Sequence, residues 1–476
     1  MGSFKDIDLM SDQQFIFFDL ETTGLSVWFD VPLTGAFVLC DEDLNIKDKF
    51  SFKCKLPRGV VPSPIALLVN DIDPRTIYEG QSYLQAMEAV YEKCLEWGPS
   101  IFVGFNNINY DDNILRMGLF KSMLPQYLTN TNGNGRTDLL TIMHNVHLFS
   151  PNTIAIAMTP EGKPSFKLEE LTKVNGIKHQ AHAAMDDVLG TISLAKMVKD
   201  RCPGIWSAAL VSSSKKQLLQ QAEEMPAFCH GKFNIRREAV GSIYTYMLVN
   251  SKMNNELLGF DLNYDPEKYM DASFETLEEM VRSNDGPFVL LKANASPVLM
   301  NSNYISMLNN KAKDEQTYLK RAYAIRHNIG FKANAALTLE KTMKNYKKSD
   351  LLEYNIYNGF FSDDDKLLMQ RFHDETWDYR ADMVNKFEDD RLNKISELFL
   401  YHEKPEYLDP KIKRKIDYIL SSRITSVERQ RWRTIDSAIN ELNKVQLNNS
   451  YPAKKTDAIE DLLHRISKEH TEMNSK

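Results

Sequence analysis

Three short segments hold the residues whose types and spacing could do chemistry. The first is Phe18-Asp19-Leu20-Glu21-Thr22-Thr23-Gly24, where an apolar strand runs straight into two carboxylates at positions i and i+2. Residues two apart in a strand share one face. Two anions side by side repel each other. A divalent cation such as Mg²⁺ or Mn²⁺, which prefers oxygen ligands, is the natural compensation. The second segment, Gly104 to Asp112, follows a strand and leads into a helix predicted over 113–120. Its Asp111 and Asp112 are candidates for the same site and equally for capping that helix, because acidic residues favour a helix start. The third is His182-Ala183-Ala184-Met185-Asp186-Asp187, which opens a helix running through Val188 to Val198. Five residues turn about 500° on a helix, so His182 and Asp187 do not share a helix face. The spacing instead puts the histidine on the entering loop and the aspartate in the first turns, both directed into one cleft.

Together the segments supply Asp, Glu, Asp and Asp with one His, each at a strand end or helix start, where α/β folds place their sites. This set suits two-metal phosphodiester hydrolysis. One ion activates and orients a water, and the other stabilises the leaving 3′-oxygen, with the two ions about 3.5–4 Å apart. A histidine, with an ordinary pKa of about 6.5, takes a proton from water near neutral pH.

The elements that must position these residues read as an α/β region in the first third of the chain. Strands are predicted at Phe15–Asp19, Gly35–Cys40, Phe50–Cys54 and Ile101–Phe105, with helices at Ser82–Glu96 and Leu189–Val198. Cys202-Pro203-Gly204 breaks the last helix, and a helical connector runs to about Gln220. Phe228 to about Met300 is expected to be β-rich, with strands at Ser242–Val249 and Pro287–Leu291 around a helix at Phe274–Val281. From Asp314 onward helical patterning dominates, with Tyr354–Asp365 as an interruption.

The 476-residue length fits about three domains. With 43% hydrophobic and 26% charged residues, disorder is excluded as the main state. No stretch approaches the roughly 20 apolar residues that cross a bilayer. Met1–Gln14 pairs Lys5 with Asp6, Asp8 and Asp12 and has no apolar run, unlike a secretory signal. The five cysteines, Cys40, Cys54, Cys94, Cys202 and Cys229, are widely spaced without a C-x-x-C, which favours a reducing cytoplasm over disulfides or a cysteine metal site. Cys229-His230 reads as a packed thiol beside a surface histidine. A net charge of −7 gives no support for nucleic-acid binding and does not exclude a local basic groove.

At the three segments the chain resembles the DEDD (DnaQ-like) exonuclease superfamily in its histidine-containing branch, DEDDh. The matching pieces are Asp19-Leu-Glu21, Asn106-x-x-x-Tyr110-Asp111 and His182-x-Ala184-x-x-Asp187, in that order. It resembles the bacterial exonuclease I family more closely still. The stretch Pro164 to His179 looks like the segment leading into that family's histidine motif, and Tyr357-Asn-Gly-Phe-Phe-Ser-Asp363 like a second family stretch.

The resemblance implies a processive, Mg²⁺-dependent 3′→5′ exonuclease with two metal ions, for which Mn²⁺ can substitute. Such an enzyme acts on single-stranded DNA, releases 5′-mononucleotides, and serves DNA repair and recombination. It implies a ribonuclease-H-like exonuclease domain over 1–202, an SH3-like β-rich domain with helical connectors over 203–352, and a helical C-terminal domain over 353–476. These would form a clamp within one chain, a monomer. The acidic tail of bacterial single-stranded-DNA-binding protein (SSB) is the implied protein partner.

Carried over by position, Asp19, Glu21 and Asp187 would be metal ligands, Asp111 would complete the shell, and His182 would be the general base. Asp112 adjoins Asp111, but the position directly after Tyr110 favours Asp111. Asp186 adjoins Asp187, but the interval from His182 favours Asp187. Ala183 stands where an acidic residue is expected, at a position that is not a ligand.

Single strands are held by cations on phosphates and rings under bases. Lys167 and Phe166 are the leading pair, with Arg116 and Tyr127 next and Thr22 and Leu20 flanking the terminal nucleotide. A basic run through Lys411, Lys413, Arg414, Lys415, Arg423, Arg429, Arg431 and Arg433, interrupted by Trp432, is a candidate phosphate or protein surface. So is the patch Lys341, Lys344, Lys347 and Lys348. An oligoribonuclease-like or proofreading enzyme would be short and single-domain, unlike this chain. A catalytically dead single-strand binder would be free to lose any of the five residues, and all five are present.

Overall fold

The computed structural model describes residues 13–179, 183–233, 238–250, 255–283, 286–308, 314–342, 349–428 and 430–474. Strand β1 (Phe15–Thr22) is the centre of a five-stranded sheet ordered β3-β2-β1-β4-β5. Its partners are β2 (Pro32–Cys40), β3 (Ile46–Lys53), β4 (Ile101–Gly104) and β5 (Gly135–Asp138). β1, β2 and β3 pair antiparallel, whereas β1, β4 and β5 run parallel. Parallel neighbours need crossovers. Here these hold α1 (Pro64–Val69) and α2 (Tyr83–Trp97), then α3 (Asp111–Lys121). After β5 come α4 (Leu139–Phe149), the small hairpin of β6 (Ala157–Met158) and β7 (Pro164–Ser165), α5 (Leu168–Val174) and α6 (Ala184–Arg201).

Alternation along β1 explains which helix meets which side chain. Phe15 and Phe17 pack with Leu139 and Ile142 of α4 and with Val188 and Ile192 of α6. Ile16, Phe18 and Leu20 point the other way, onto Tyr83, Met87 and Val90 of α2 and Ile114 and Leu115 of α3. Asp19 and Glu21 continue the odd-numbered face. They therefore emerge on the side covered by α6.

The predicted break at Cys202 is present. α6 ends at Arg201, and Pro203 occupies the first turn of α7 (Pro203–Ser212), where its missing N–H costs nothing. α8 (Lys215–Glu224) completes the connector. The β-rich middle is a second five-stranded sheet, β11-β10-β9-β8-β12, and its strand pairs are antiparallel. It comprises β8 (Phe228–Phe233), β9 (Ala239–Val249), β10 (Glu256–Asp261), β11 (Phe288–Lys292) and β12 (Met300–Asn301), with α9 (Phe274–Ser283) inserted. α10 (Glu315–His327) and α11 (Ile329–Thr342) follow. Apolar packing runs without a gap from Phe15 and Phe17 through Trp206, Ile243, Met247 and Phe260 to Phe331 and Leu339. The two sheets thus share one hydrophobic core.

Among the described residues the C-terminal part has six α-helices: α12 (Asp363–Asp374), α13 (Trp377–Met383), α14 (Asp390–Glu403), α15 (Pro410–Thr425), α16 (Ile435–Leu447) and α17 (Ala453–Asn474). Two details differ from the sequence reading. Asp363-Asp364-Asp365 does not interrupt the helices but begins one. Ser362 caps α12 by accepting from the Asp365 N–H, and acidic side chains suit that end of the helix dipole. Asp365 also turns inward, accepting from the Glu388 and Asp389 N–H groups. His230 is not a surface histidine: it is buried, with Nδ1 3.0 Å from the Val298 carbonyl oxygen. The five cysteines are free and buried, and no described helix is long and apolar enough to cross a membrane.

Candidate active site

β4 pairs with β1 only from Phe15 to Phe17 and ends at Gly104. Asp19 to Thr22 therefore run on past their parallel neighbour while still paired to β2, Asp19 opposite Ala36 and Glu21 opposite Thr34. β1 lies between an antiparallel neighbour on one edge and a parallel one on the other, and the carboxyl ends of such parallel strands are the position favoured for ligand sites. α6 packs across β1 and β2, and Asp187 lies in its first turn. One carboxylate oxygen each from Asp19, Glu21 and Asp187 lie within 4.8 Å of one another. The sequence brings these three together from positions 166 residues apart in the chain (187 minus 21).

Asp111 enters from the start of α3. Its Oδ1 accepts from the Leu20 N–H at 3.2 Å, which fixes it against the strand between the two β1 carboxylates. Asp112 faces elsewhere. It is buried among Arg116, whose Nη2 is 2.6 Å away, Arg136 and Thr129. Asp111 thus faces β1, without being one of the three converging carboxylates, and Asp112 faces the two arginines. Asp186, although adjacent to Asp187, is not one of the three converging groups.

The charges within the cluster disfavour one another. Burial, then Asp111, Glu21 and Asp187, hold the Asp19 carboxyl well above the usual carboxylate range. Burial and then Asp187 push Glu21 up to about 7. Burial also raises Asp111, with Glu21 and Asp138 adding to it, although its backbone hydrogen bonds oppose the shift. Half-buried anions this close want a cation. The donor set is all oxygen, the chemistry of a site for a divalent metal ion.

The supporting contacts are local. Thr22 Oγ1 donates to the Gly24 carbonyl at 2.8 Å, and the Tyr110 hydroxyl reaches both Thr22 and Gly24. Thr23 and the Ser26 N–H donate to Asp30. Thr22 is therefore buried and holds the loop after β1. Asp138, at the end of β5, accepts from the Asn106 N–H at 2.8 Å and caps α4 through the Leu140 N–H at 2.9 Å. It thereby ties down the loop that delivers Asp111. His179 is a residue the sequence reading passed over. Its Nε2 is 2.6 Å from Asp187 Oδ1. The signal available was only its place eight residues before an aspartate, which no spacing rule distinguishes.

The other candidates divide. Lys167 is exposed, its side chain 64% accessible and 3.7 Å from Glu170. Phe166 packs edge-on against His144, ring centroids 4.6 Å apart. Leu20 is buried with the core under α2 and α3. Arg116 is buried, with its guanidinium on Asp112 and on the Tyr357 hydroxyl at 3.2 Å. Tyr127 lies between that guanidinium and the ring of Phe360, whose centroid is 5.8 Å away.

Much of the basic run also turns inward. Lys413 pairs with Asp417, Arg423 with Glu353 and Arg433 with Glu441, and the Trp432 indole N–H donates to the Arg423 carbonyl. Arg431 sits over Tyr354, and Lys341 over Phe274. Lys411, Arg414 and Lys415 remain exposed. His182, Arg429, Lys344, Lys347 and Lys348 lie outside the described residues.

Two family models match the chain in order: an exonuclease domain over residues 16–195 and the exonuclease I C-terminal domain over 350–468. Together they take in more than half of it, and the first contains Asp19, Glu21, Asp111 and Asp187. The chain belongs to the exonuclease I family. Within this family, exodeoxyribonuclease I of Haemophilus influenzae is 27% identical over 418 residues, spanning 84% of this chain and 88% of that protein. Among solved structures, Escherichia coli exonuclease I in complex with a dA16 oligonucleotide superposes with a TM-score of 0.82 at 24% identity, over 96% of this chain and all of that one. An exonuclease I complex with SSB-Ct gives 0.80 at 24%, over 96% and 99% of the two chains. These structural likenesses establish that the fold of the family extends over nearly the whole molecule.

Proposed function

We propose that this chain degrades single-stranded DNA from its 3′ end, releasing 5′-mononucleotides. The observation that carries the reading is the meeting of Asp19, Glu21 and Asp187 within 4.8 Å in a chain of the exonuclease I family. In this reading Asp19, Glu21, Asp111 and Asp187 hold two Mg²⁺ ions, with Mn²⁺ as a substitute, and His182 is the general base that takes the proton from the attacking water. Bound there, the ions would supply Lewis-acid activation of the water and charge stabilisation at the leaving 3′-oxygen.

The chain's own residues do the positioning. Burial and mutual repulsion raise the carboxyl pKa values of Asp19, Glu21 and Asp111, a cost that a bound cation would offset. The loop held by Thr22, Tyr110 and Gly24 forms one wall of the cleft. Lys167 supplies an exposed cation for a phosphate near the scissile bond, and Phe166 supports the segment that carries it. Phe360, 82% exposed beside Tyr127, offers a ring to an unpaired base.

We further assign residues 1–202 to the nuclease domain, 203–352 to an SH3-like domain and 353–476 to the helical domain. In this assignment the last two close a clamp that favours processive digestion. The SSB tail is the protein partner, and the enzyme acts as a cytoplasmic monomer in DNA repair. The solved SSB-Ct complex supports the partner, and five free buried cysteines fit a reducing compartment.

The experiment is side-by-side digestion of DNA and RNA single strands and of blunt duplex, with products separated by chromatography. Rapid release of 5′-mononucleotides from the DNA single strand alone is expected. Equal or faster digestion of RNA would overturn the substrate assignment.

A further inference from the structure

His179 has no place in the set of five residues above, yet its side chain contacts Asp187 directly. It lies after α5, with its side chain only 3% exposed. Its ring bridges two helices: Nε2 is 2.6 Å from Asp187 Oδ1 on α6, and Nδ1 is 3.1 Å from Thr172 Oγ1 on α5. An ionised carboxylate only accepts hydrogen bonds, so Nε2 carries the proton in that contact. Nδ1 lies against a Thr172 hydroxyl that itself donates to the α5 backbone, at 2.9 Å from the Leu168 carbonyl and 3.1 Å from that of Glu169. The packing reserves room for the ring. Gly190 stands one turn beyond Asp187 in α6, and a Cβ there would come within 2.9 Å of His179 Cδ2. Glycine inside a helix is unfavourable in itself, so this one is matched to the imidazole beside it.

The site's electrostatics give the contact its use. Asp187 is pushed away by Asp19 and Glu21, whose carboxylates it meets. A carboxylate with one oxygen fixed cannot rotate away. We propose that His179 is a positioning residue, holding the Asp187 carboxylate in register with Asp19 and Glu21 so that the three bind a divalent cation as a preformed site. This rests on reading those three as the metal site.

The test is Mn²⁺ binding to the DNA-free protein, followed by the electron paramagnetic resonance of free Mn²⁺. Wild type is compared with His179→Ala, His179→Gln, Gly190→Ala and, as a ligand control, Asp187→Asn. Gln can place an amide N–H near the position of Nε2. Gly190→Ala keeps the histidine and favours the helix but displaces the ring. We expect His179→Ala and Gly190→Ala to weaken Mn²⁺ by roughly tenfold or more, as loss of a partner to a metal ligand commonly does. His179→Gln should stay near wild type. In digestion assays, His179→Ala should lose kcat at limiting Mg²⁺ and recover it at high Mg²⁺, with KM for DNA unchanged. Wild-type Mn²⁺ affinity in both His179→Ala and Gly190→Ala would overturn the inference while leaving the metal site standing. Absence of Mn²⁺ binding by wild type would overturn both.

Discussion

At the scale of single residues, the site is a place where stability and function oppose each other. Glu21 has its carboxyl raised from an ordinary 4.5 to about 7, chiefly by burial. A carboxyl with a raised folded pKa binds more protons in the native state than in the unfolded state. Its contribution to stability is therefore full below pH 4.5 and is lost as pH rises through 7. The metal-free protein should lose melting temperature between pH 5 and 8, and Mg²⁺ should restore it. Glu21→Gln should flatten that slope. Calorimetry at pH 8 should find the metal-free variant more stable by about 1–2 kcal/mol, while its digestion rate falls at least about a hundredfold. The neighbours Asp111 and Asp112 give a sharper contrast. Asp111→Asn should keep the fold and lose activity. Asp112→Ala leaves Arg116 and Arg136 buried without their anion and should lower unfolding free energy by about 3–5 kcal/mol, measured by urea titration.

At the scale of elements, β1 shows why much of this was legible. The run Phe15 to Phe18 followed by Asp19-x-Glu21 fixes a strand, its two faces and the shared side of the carboxylates, because strand periodicity alone decides all three. Asp187 was legible as a helix-start residue, since α6 begins at Ala184. What local pattern does not carry is which long-range partner a charge finds. Arg116 reads as a channel cation in sequence, yet the fold buries it against Asp112 four residues earlier and Tyr357 far downstream. Arg423 and Arg433 likewise find Glu353 and Glu441. His179 was missed for the same reason. The loop after β4 gives a test at this scale. A Cβ on Gly104 would sit 2.6 Å from Asn107 Cβ and 3.0 Å from the Phe18 carbonyl oxygen. Gly104→Ala should therefore displace the segment that delivers Asp111. We expect activity to fall more than stability does, read from kcat against the urea midpoint.

At the scale of the whole molecule, the C-terminal helices are joined to the nuclease sheet through the residues that flank the site. Phe361 stacks on Phe120 of α3 with planes 2° apart, and the Arg391 guanidinium lies over it. Trp28 and Phe29, from the loop after β1, meet Tyr354, and Phe29 also meets Trp432. The loop after β1 and helix α3 therefore both lean on the C-terminal part. Phe361→Ala should cost about 3–5 kcal/mol as a core truncation. Exposed Phe360→Ala should leave the urea midpoint unchanged and weaken single-stranded DNA binding by about 1–3 kcal/mol in a fluorescence titration. The central claim, that Asp19, Glu21 and Asp187 form a metal-dependent nuclease centre, is tested most directly on a single-stranded DNA labelled at its 5′ end. It is incubated with Mg²⁺ or with EDTA, using wild type and Asp187→Ala. The account predicts a ladder shortening from the 3′ end with wild type and Mg²⁺, and none with EDTA or with the substitution. Intact DNA with wild type in Mg²⁺, or unchanged digestion by Asp187→Ala, would contradict it.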